Sequence, residues 1–195
     1  MQSLVVVAHP CRDGFSHAAA ASAVRGLERA GHAVDLIDLH DDGFRAVMSR
    51  EEREAYHSDD PILDDQVADH AARLRRAEIV VFVYPTWWSG QPAMLKGWVD
   101  RVWIAGVAWR EGRRGRPRPM LTNIRRIVVV TTHGSTKLVN AFEGESGKRT
   151  ITRSLRPMCS RLARTTWCAL YGIDTSDEAK RVDFLDRVER TVAKL

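Results

Sequence analysis

Three short stretches carry residue types that could do chemistry: AHPCRDGFSH at 8–17, YPTWWSGQP at 84–92 and TTHGS at 131–135. The first runs into an Ala-rich segment with Ser16 placed to cap a helix, and it offers free backbone N–H groups beside His9, Arg12, Ser16 and His17. That is a chemistry suited to phosphate. It holds neither G-x-G-x-x-G nor G-x-x-x-x-G-K-S/T, which argues against a dinucleotide fingerprint or a P-loop. The competing reading is that Ser16 only caps the helix and His9 is a satisfied loop histidine. The second stretch sets two tryptophans between a proline and a glycine. Indoles are costly to leave in water, so they should pack on a flat ligand or join Trp98 and Trp103 as core. We expect one ring inward and one at a site, with Gly90 giving a ligand access to backbone and Pro92 in the first turn of the next helix. The third stretch presents hydroxyls and N–H groups to a polar ring edge, or is a plain strand-to-loop transition. Taken together, a phosphate seat, an aromatic wall and a polar rim describe a pocket for a planar, phosphorylated cofactor.

The elements that must position these stretches follow from periodicity. Apolar, β-branched runs at Ser3 to Ala8, Ala33 to Leu39, Glu78 to Tyr84, Arg126 to Thr132 and Thr166 to Tyr171 read as strands buried on both faces. Helical segments are expected at His17 to Ala30, Asp64 to Ala77, Gln91 to Ile104, Lys148 to Arg164 and Ser176 to Lys194. This alternation predicts a parallel sheet with helices on both faces, its ligand outside the carboxyl ends of the strands. No linker divides residues 1–195, so one domain is expected.

Composition narrows the class. With 44% hydrophobic and 28% charged residues, the chain reads as an ordinary globule rather than a disordered one. Its apolar runs are far shorter than a membrane span, and MQSLVVVAHP lacks a basic n-region with a cleavage site, so a cytoplasmic protein is expected. Cys11, Cys159 and Cys168 have no metal-ligand spacing and suggest neither a disulfide framework nor zinc. Much of the net charge of +5 lies in REGRRGRPR at 110–118. Its five arginines suit the 2′-phosphate of a dinucleotide or form a solvated loop; without interleaved aromatics, nucleic acid is discounted.

The stretches LVVVAHPCRDGFSHA, FVYPTWWSGQPAMLKGWVDRVWIAGVAW and VVTTHGS resemble, in order and spacing, the flavodoxin-like NAD(P)H:quinone oxidoreductases, the family of DT-diaphorase and related bacterial flavoproteins. The likeness covers most of residues 3–136. It implies a five-stranded sheet of order 2-1-3-4-5, a flavin (FMN or FAD) at the switch between the first and third strands, NAD(P)H as co-substrate and a small acceptor such as a quinone. It also implies a homodimer with active sites at the subunit interface. By this resemblance His9, Phe15, Ser16, His17 and Ala18 match the loop that holds the flavin phosphate and ribityl chain. Pro85, Thr86, Trp87, Trp88 and Ser89 match the segment against the ring system, and Thr131, Thr132, His133 and Gly134 the turn at its pyrimidine side. Trp109 falls where an aromatic closes the partner's substrate pocket.

The departures are specific. The tyrosine and histidine that mammalian relatives set beside the flavin fall at Val139 and Glu145, and Ser89 replaces a bulky aromatic. No catalytic residue is assigned with certainty; Trp88, His133 and Trp109 are the pocket candidates. Cys11 reads as a bystander thiol. A second reading is a flavin-binding ancillary subunit of a membrane potassium-efflux system. The segment KGWVDRVWIAGVAW carries more large apolar residues than one helix face needs, which also predicts contact with another subunit.

Overall fold

Seven strands form in the computed structural model, which describes residues 1–58, 61 and 64–195. In chain order they are β1 (Gln2–Val7), β2 (Ala33–Asp38), β3 (Ile79–Pro85), β4 (Trp109–Glu111), β5 (Pro117–Pro119), β6 (Arg126–His133) and β7 (Arg164–Tyr171). Five of them make one sheet of order β2-β1-β3-β6-β7 with every neighbouring pair parallel. The five expected runs therefore sit in the expected succession. The extra pair, β4 and β5, is a separate antiparallel hairpin that the sequence reading did not anticipate.

The helices are α1 (Phe15–Arg29), α2 (Arg50–Ala55), α3 (Asp65–Arg76), α4 (Ala93–Val102), α5 (Lys137–Phe142), α6 (Ser146–Arg149) and α7 (Glu178–Val192). Alternate strand residues point to opposite layers, because successive side chains leave a strand on opposite faces. Val5, Val7, Val81, Val83, Val128 and Val130 pack with α1 and α7. Leu4, Val6, Val80, Phe82, Ile127 and Val129 pack with α3 and α4.

Several expectations are corrected. Ser16 does not cap α1: Gly14 is the N-cap, without a side-chain bond, and Ser16 lies buried in the first turn. Pro92 is the N-cap of α4 rather than a first-turn residue. The single helix expected over Lys148 to Arg164 is instead α6, a π-helical turn at Thr150–Leu155 and a 3-10 turn at Arg156–Met158. Pro157 lacks the N–H needed to continue an α-helix there. The apolar surplus of residues 96–109 is largely spent inside the chain: Trp98, Val102, Trp103, Ile104 and Val107 are buried, leaving Val99 and Trp109 only partly so. No helix is long and apolar enough to cross a membrane among the described residues.

Candidate functional site

β1, β3 and β6 are consecutive in the sheet, so the loops after them adjoin at its carboxyl edge. Two of these loops are tied directly. The Thr86 N–H donates to the Thr132 carbonyl at 2.8 Å, and the Thr86 and Thr131 hydroxyls lie 2.9 Å apart. Beyond them opens a cleft of about 420 Å³ lined by Thr86, Trp87, Trp88, Ser89, His133, Gly134, Ser135, Asn140 and Glu143.

The tryptophan pair stands at the mouth of this cleft on a strained turn. Trp87 and Gly90 exchange two backbone hydrogen bonds, of 3.2 and 3.0 Å, which leaves Trp88 and Ser89 as the two corner residues. Both corners have positive φ, 49° and 58°, where glycine or asparagine is the usual occupant. The strain is held from outside: the Ser146 hydroxyl (2.7 Å) and the Gly147 N–H (2.8 Å) both donate to the Ser89 carbonyl, and the Ser89 hydroxyl donates to Glu143. The turn directs both indoles outward. Trp87 is 49% exposed and Trp88 fully exposed, so neither joins the core and the expectation of one inward ring is corrected. Trp98 and Trp103 already fill the space beside Phe82, their ring centroids 6.0 and 6.4 Å from it.

On the opposite wall, Thr131, Thr132 and His133 are the buried last residues of β6. His133 stacks on Tyr171 at 4.5 Å between ring centroids, and its Nδ1 lies 2.7 Å from Asn140 Oδ1. The Asn140 amide is oriented by its NH₂ group, which donates to the Thr136 carbonyl at 2.9 Å and to the Ser135 hydroxyl. Its oxygen can therefore only accept from the histidine, which places the imidazole proton on Nδ1. Burial lowers the His133 pKa, against a smaller raising effect of Asn140, so the ring is neutral at pH 7. Its Nε2 is then an acceptor, buried and without a partner among the described residues. At Gly134 a Cβ would come within 2.7 Å of Asp174 Oδ2, the end of an exposed side chain that can turn aside.

The first loop lies one strand over, outside the cleft. The Phe15 and Ser16 N–H groups at the start of α1 have no partner among the described residues, as a helix start requires of an anion seat. The Phe15 ring packs on Phe184 at 5.9 Å, so this residue offers its backbone and not its side chain. His17 Nε2 meets Asp38 Oδ2 at 2.7 Å, while His9 Nδ1 accepts from the Cys11 N–H at 3.1 Å. Arg12 is paired with Asp41, and Ala18 is exposed.

The structure thus brings Thr86, Trp87, Trp88, Ser89, His133 and Gly134 into one cleft, with Pro85, Thr131 and Thr132 in the strand ends behind it. Trp109 lies elsewhere, at the start of β4, lining a separate cavity with Ala105, Gly106 and Arg110. Asn140, Glu143 and the Tyr171 stack were not foreseen, while Ser135 closes the TTHGS stretch and does line the cleft. Val139 is partly exposed on α5, and Glu145 pairs with Lys148 at 3.1 Å; neither lines the cleft.

The tautomer assignment has a direct test. For a histidine held neutral by burial, the unfolded chain binds the extra proton, so stability is full above the ordinary value of 6.5 and declines as pH falls below it. Asn140→Asp sets a carboxylate against Nδ1 and should raise the His133 midpoint in an NMR titration. Where that midpoint rises above 6.5, the stability contribution reverses sign and is lost as pH rises through the folded midpoint. An unchanged midpoint would break the assignment.

Comparisons with known proteins agree with this architecture. Over 155 residues the chain is 32% identical to a ribosyldihydronicotinamide dehydrogenase-like protein of Penicillium crustosum, covering 69% of this chain and 58% of that protein. It is 30% identical over 149 residues to NAD(P)H dehydrogenase (quinone) 1 of Rattus norvegicus, covering 69% of this chain and 54% of that one. The chain thus spans little more than half the length of these two relatives. The solved NAD(P)H:quinone oxidoreductase of Methanothermobacter marburgensis is similar throughout, with a TM-score of 0.85, 30% identity, and coverage of 99% of this chain and 98% of that one. A family model described as a flavodoxin-like fold matches residues 1–190, and the chain belongs to that family.

Proposed function

We propose that the protein is a flavin-dependent NAD(P)H oxidoreductase that reduces a quinone or a similar small acceptor. In the overall reaction NAD(P)H, a proton and the quinone give NAD(P)⁺ and the hydroquinone. The observation that carries the reading is the cleft between the exposed tryptophan turn and the His133 turn, one strand from the unpartnered N–H groups of Phe15 and Ser16. A flavin supplies two-electron transfer when bound. These residues fit it: a phosphate on the helix start with Ser16, His17, Ala18 and His9 around it, a planar ring against Pro85 to Ser89, and a polar ring edge at Thr131 to Gly134. His17 engages Asp38, so that carboxylate does not face the anion alone.

The chain's own residues orient and exclude. The indoles of Trp87 and Trp88 offer flat faces that would shed water on stacking. His133 holds its proton on Nδ1 and keeps an acceptor at Nε2, which suits a ligand N–H or O–H. The backbone of the Thr132 to Gly134 turn is our candidate for stabilising negative charge on the reduced cofactor. Since NAD(P)H is the reductant, we place the enzyme in the cytoplasm, and we read residues 1–195 as one domain on the strength of the continuous sheet. No observation favours the ancillary-subunit reading. Purified, flavin-incubated protein should carry bound absorbance near about 450 nm and oxidise NADH or NADPH with a quinone panel. Absence of bound flavin, or turnover too slow to measure with every acceptor, would overturn the proposal.

We also infer a homodimer in which Trp109 completes the partner's pocket. Trp109 is only half-buried in its own chain, exposed Trp87 and Trp88 line the cleft, and Leu138, Val139 and Phe142 are exposed on α5, apolar surface that favours a cover. Activity should fall when dilution separates the subunits. A monomer in sedimentation with full activity at the same concentration would refute both the dimer and the trans role of Trp109.

A further inference from the structure

We propose that the β4–β5 hairpin docks the protein on an anionic lipid surface. Arg110, Arg113, Arg114, Arg116 and Arg118 are all exposed, and none makes an ion pair or side-chain hydrogen bond among the described residues. Exposed Arg53, Arg76, Arg149, Arg153, Arg161 and Arg164 are likewise without an ion pair among the described residues, but the hairpin gathers five arginines within nine residues. With Glu111 as its one acid, the hairpin carries four of the chain's net five positive charges.

The fold holds these charges together. The β4–β5 register sets Arg110 opposite Arg118, and like charges in that relation repel. The tip is closed by the Gly112 N–H donating to the Arg116 carbonyl at 3.0 Å, while at the base Trp109 packs on the core and Leu121 is buried. A fixed cluster with no carboxylate partner among the described residues suits a counter-charge from outside the chain.

The kind of counter-charge follows from what the hairpin lacks. One phosphate group engages one or two guanidinium forks, not five. No aromatic side chain is interleaved between Arg110 and Arg118 to stack a base. Arginines spread over two strands and a tip suit the diffuse negative layer of a bilayer, which attracts basic residues near its surface. This inference is independent of the oxidoreductase reading.

The test is sedimentation of the purified protein with vesicles of phosphatidylcholine, with and without phosphatidylglycerol. Binding is expected only to the anionic vesicles, weakened on the order of tenfold or more in 0.5 M salt, an order set by screening, and by a similar or larger factor in the R110Q/R113Q/R114Q/R116Q/R118Q variant. The salt series on the native protein stands even if the variant misfolds. No binding, equal binding to neutral vesicles, or salt-insensitive binding would overturn the proposal. So would a variant that keeps vesicle binding but loses affinity for single-stranded DNA, raises its KM for NADPH alone, or dissociates a dimer.

Discussion

Replacing Arg101 with alanine is expected to destabilise the fold by roughly 3–5 kcal/mol, the usual result of stripping one partner from a buried ion pair. The guanidinium, on α4, is almost wholly buried. Its Nε donates to Glu52 at 3.0 Å, its Nη2 to Asp64 at 3.1 Å, and its Nη1 to the Arg45 carbonyl. The Phe44 ring lies over it, 5.3 Å from its central carbon. Glu52 is committed elsewhere too: its other oxygen accepts the Ser49 N–H at 2.7 Å, closing the capping box of α2. Relaxation is restricted, because a Cβ on Gly97 would lie 2.1 Å from the Ala46 carbonyl oxygen, so α4 already presses on that loop. At about 2–4 °C per kcal/mol for a chain of this size, the melting temperature should fall by about 6–20 °C.

The acid limb should move as well. Burial pushes the Asp64 carboxyl up, but hydrogen bonds from Arg45, the Val67 N–H and Arg101 outweigh it and bring the pKa from 3.8 to about 2. Its contribution is full above 3.8 and is lost as pH falls from 3.8 through about 2. Without Arg101 the folded pKa moves back toward 3.8, so this contribution shrinks and its loss is complete at higher pH. A melting temperature within about 2 °C of the native protein's would show that solvent already screens the pair. Because α4 starts three residues after Gly90, the same variant should loosen the tryptophan turn.

How much of this was legible depended on whether the signal is local. The central strands β1, β3 and β6 were readable because apolar, β-branched runs buried on both faces leave no alternation, whereas the edge strands β2 and β7, expected to be buried on both faces, are only partly covered. Their order is also what places the three chemically loaded loops side by side. The failures lie where the decision is tertiary. Ser16 has the composition of a cap, yet Gly14 takes that place and Ser16 turns into the first helical turn. The breakdown of the helix after Lys148 hinged on Pro157, and the hairpin was hidden because arginines and prolines mask a strand. In the cleft, Asn140 and Glu143 were missed because α5 is six residues long, and nothing in KLVNAF announces that one amide faces His133. Trp87 and Trp88 were singled out and do line the cleft, but an inward ring was expected because hydrophobicity was weighed without backbone geometry.

That geometry makes the effect of replacing Trp88 with glycine unusual in sign: the variant should be more stable and bind flavin less well. At φ 49° a tryptophan occupies the left-handed region, which costs a residue with a Cβ about 1–2 kcal/mol. Glycine removes that strain but loses about 0.5–1 kcal/mol to its freer unfolded chain, so a net gain of up to about 1.5 kcal/mol is expected. No packing is lost, because the Trp88 side chain is fully exposed. Strain of this kind persists where the surroundings over-determine it, here through Ser146, Gly147 and Glu143 on the neighbouring residue. If the indole stacks on the flavin, its removal should weaken binding by roughly 5–150-fold, the range of 1–3 kcal/mol for an aromatic–base stack. Ser89→Gly separates the two effects: it relieves the adjacent corner at φ 58° and loses the hydroxyl's bond to Glu143 but keeps the indole, so affinity should fall less than in Trp88→Gly. Chemical denaturation and flavin fluorescence titration on the three proteins decide the matter. Loss of stability in Trp88→Gly would return the residue to the core, and unchanged affinity would leave the exposed indole to the partner subunit rather than to the cofactor.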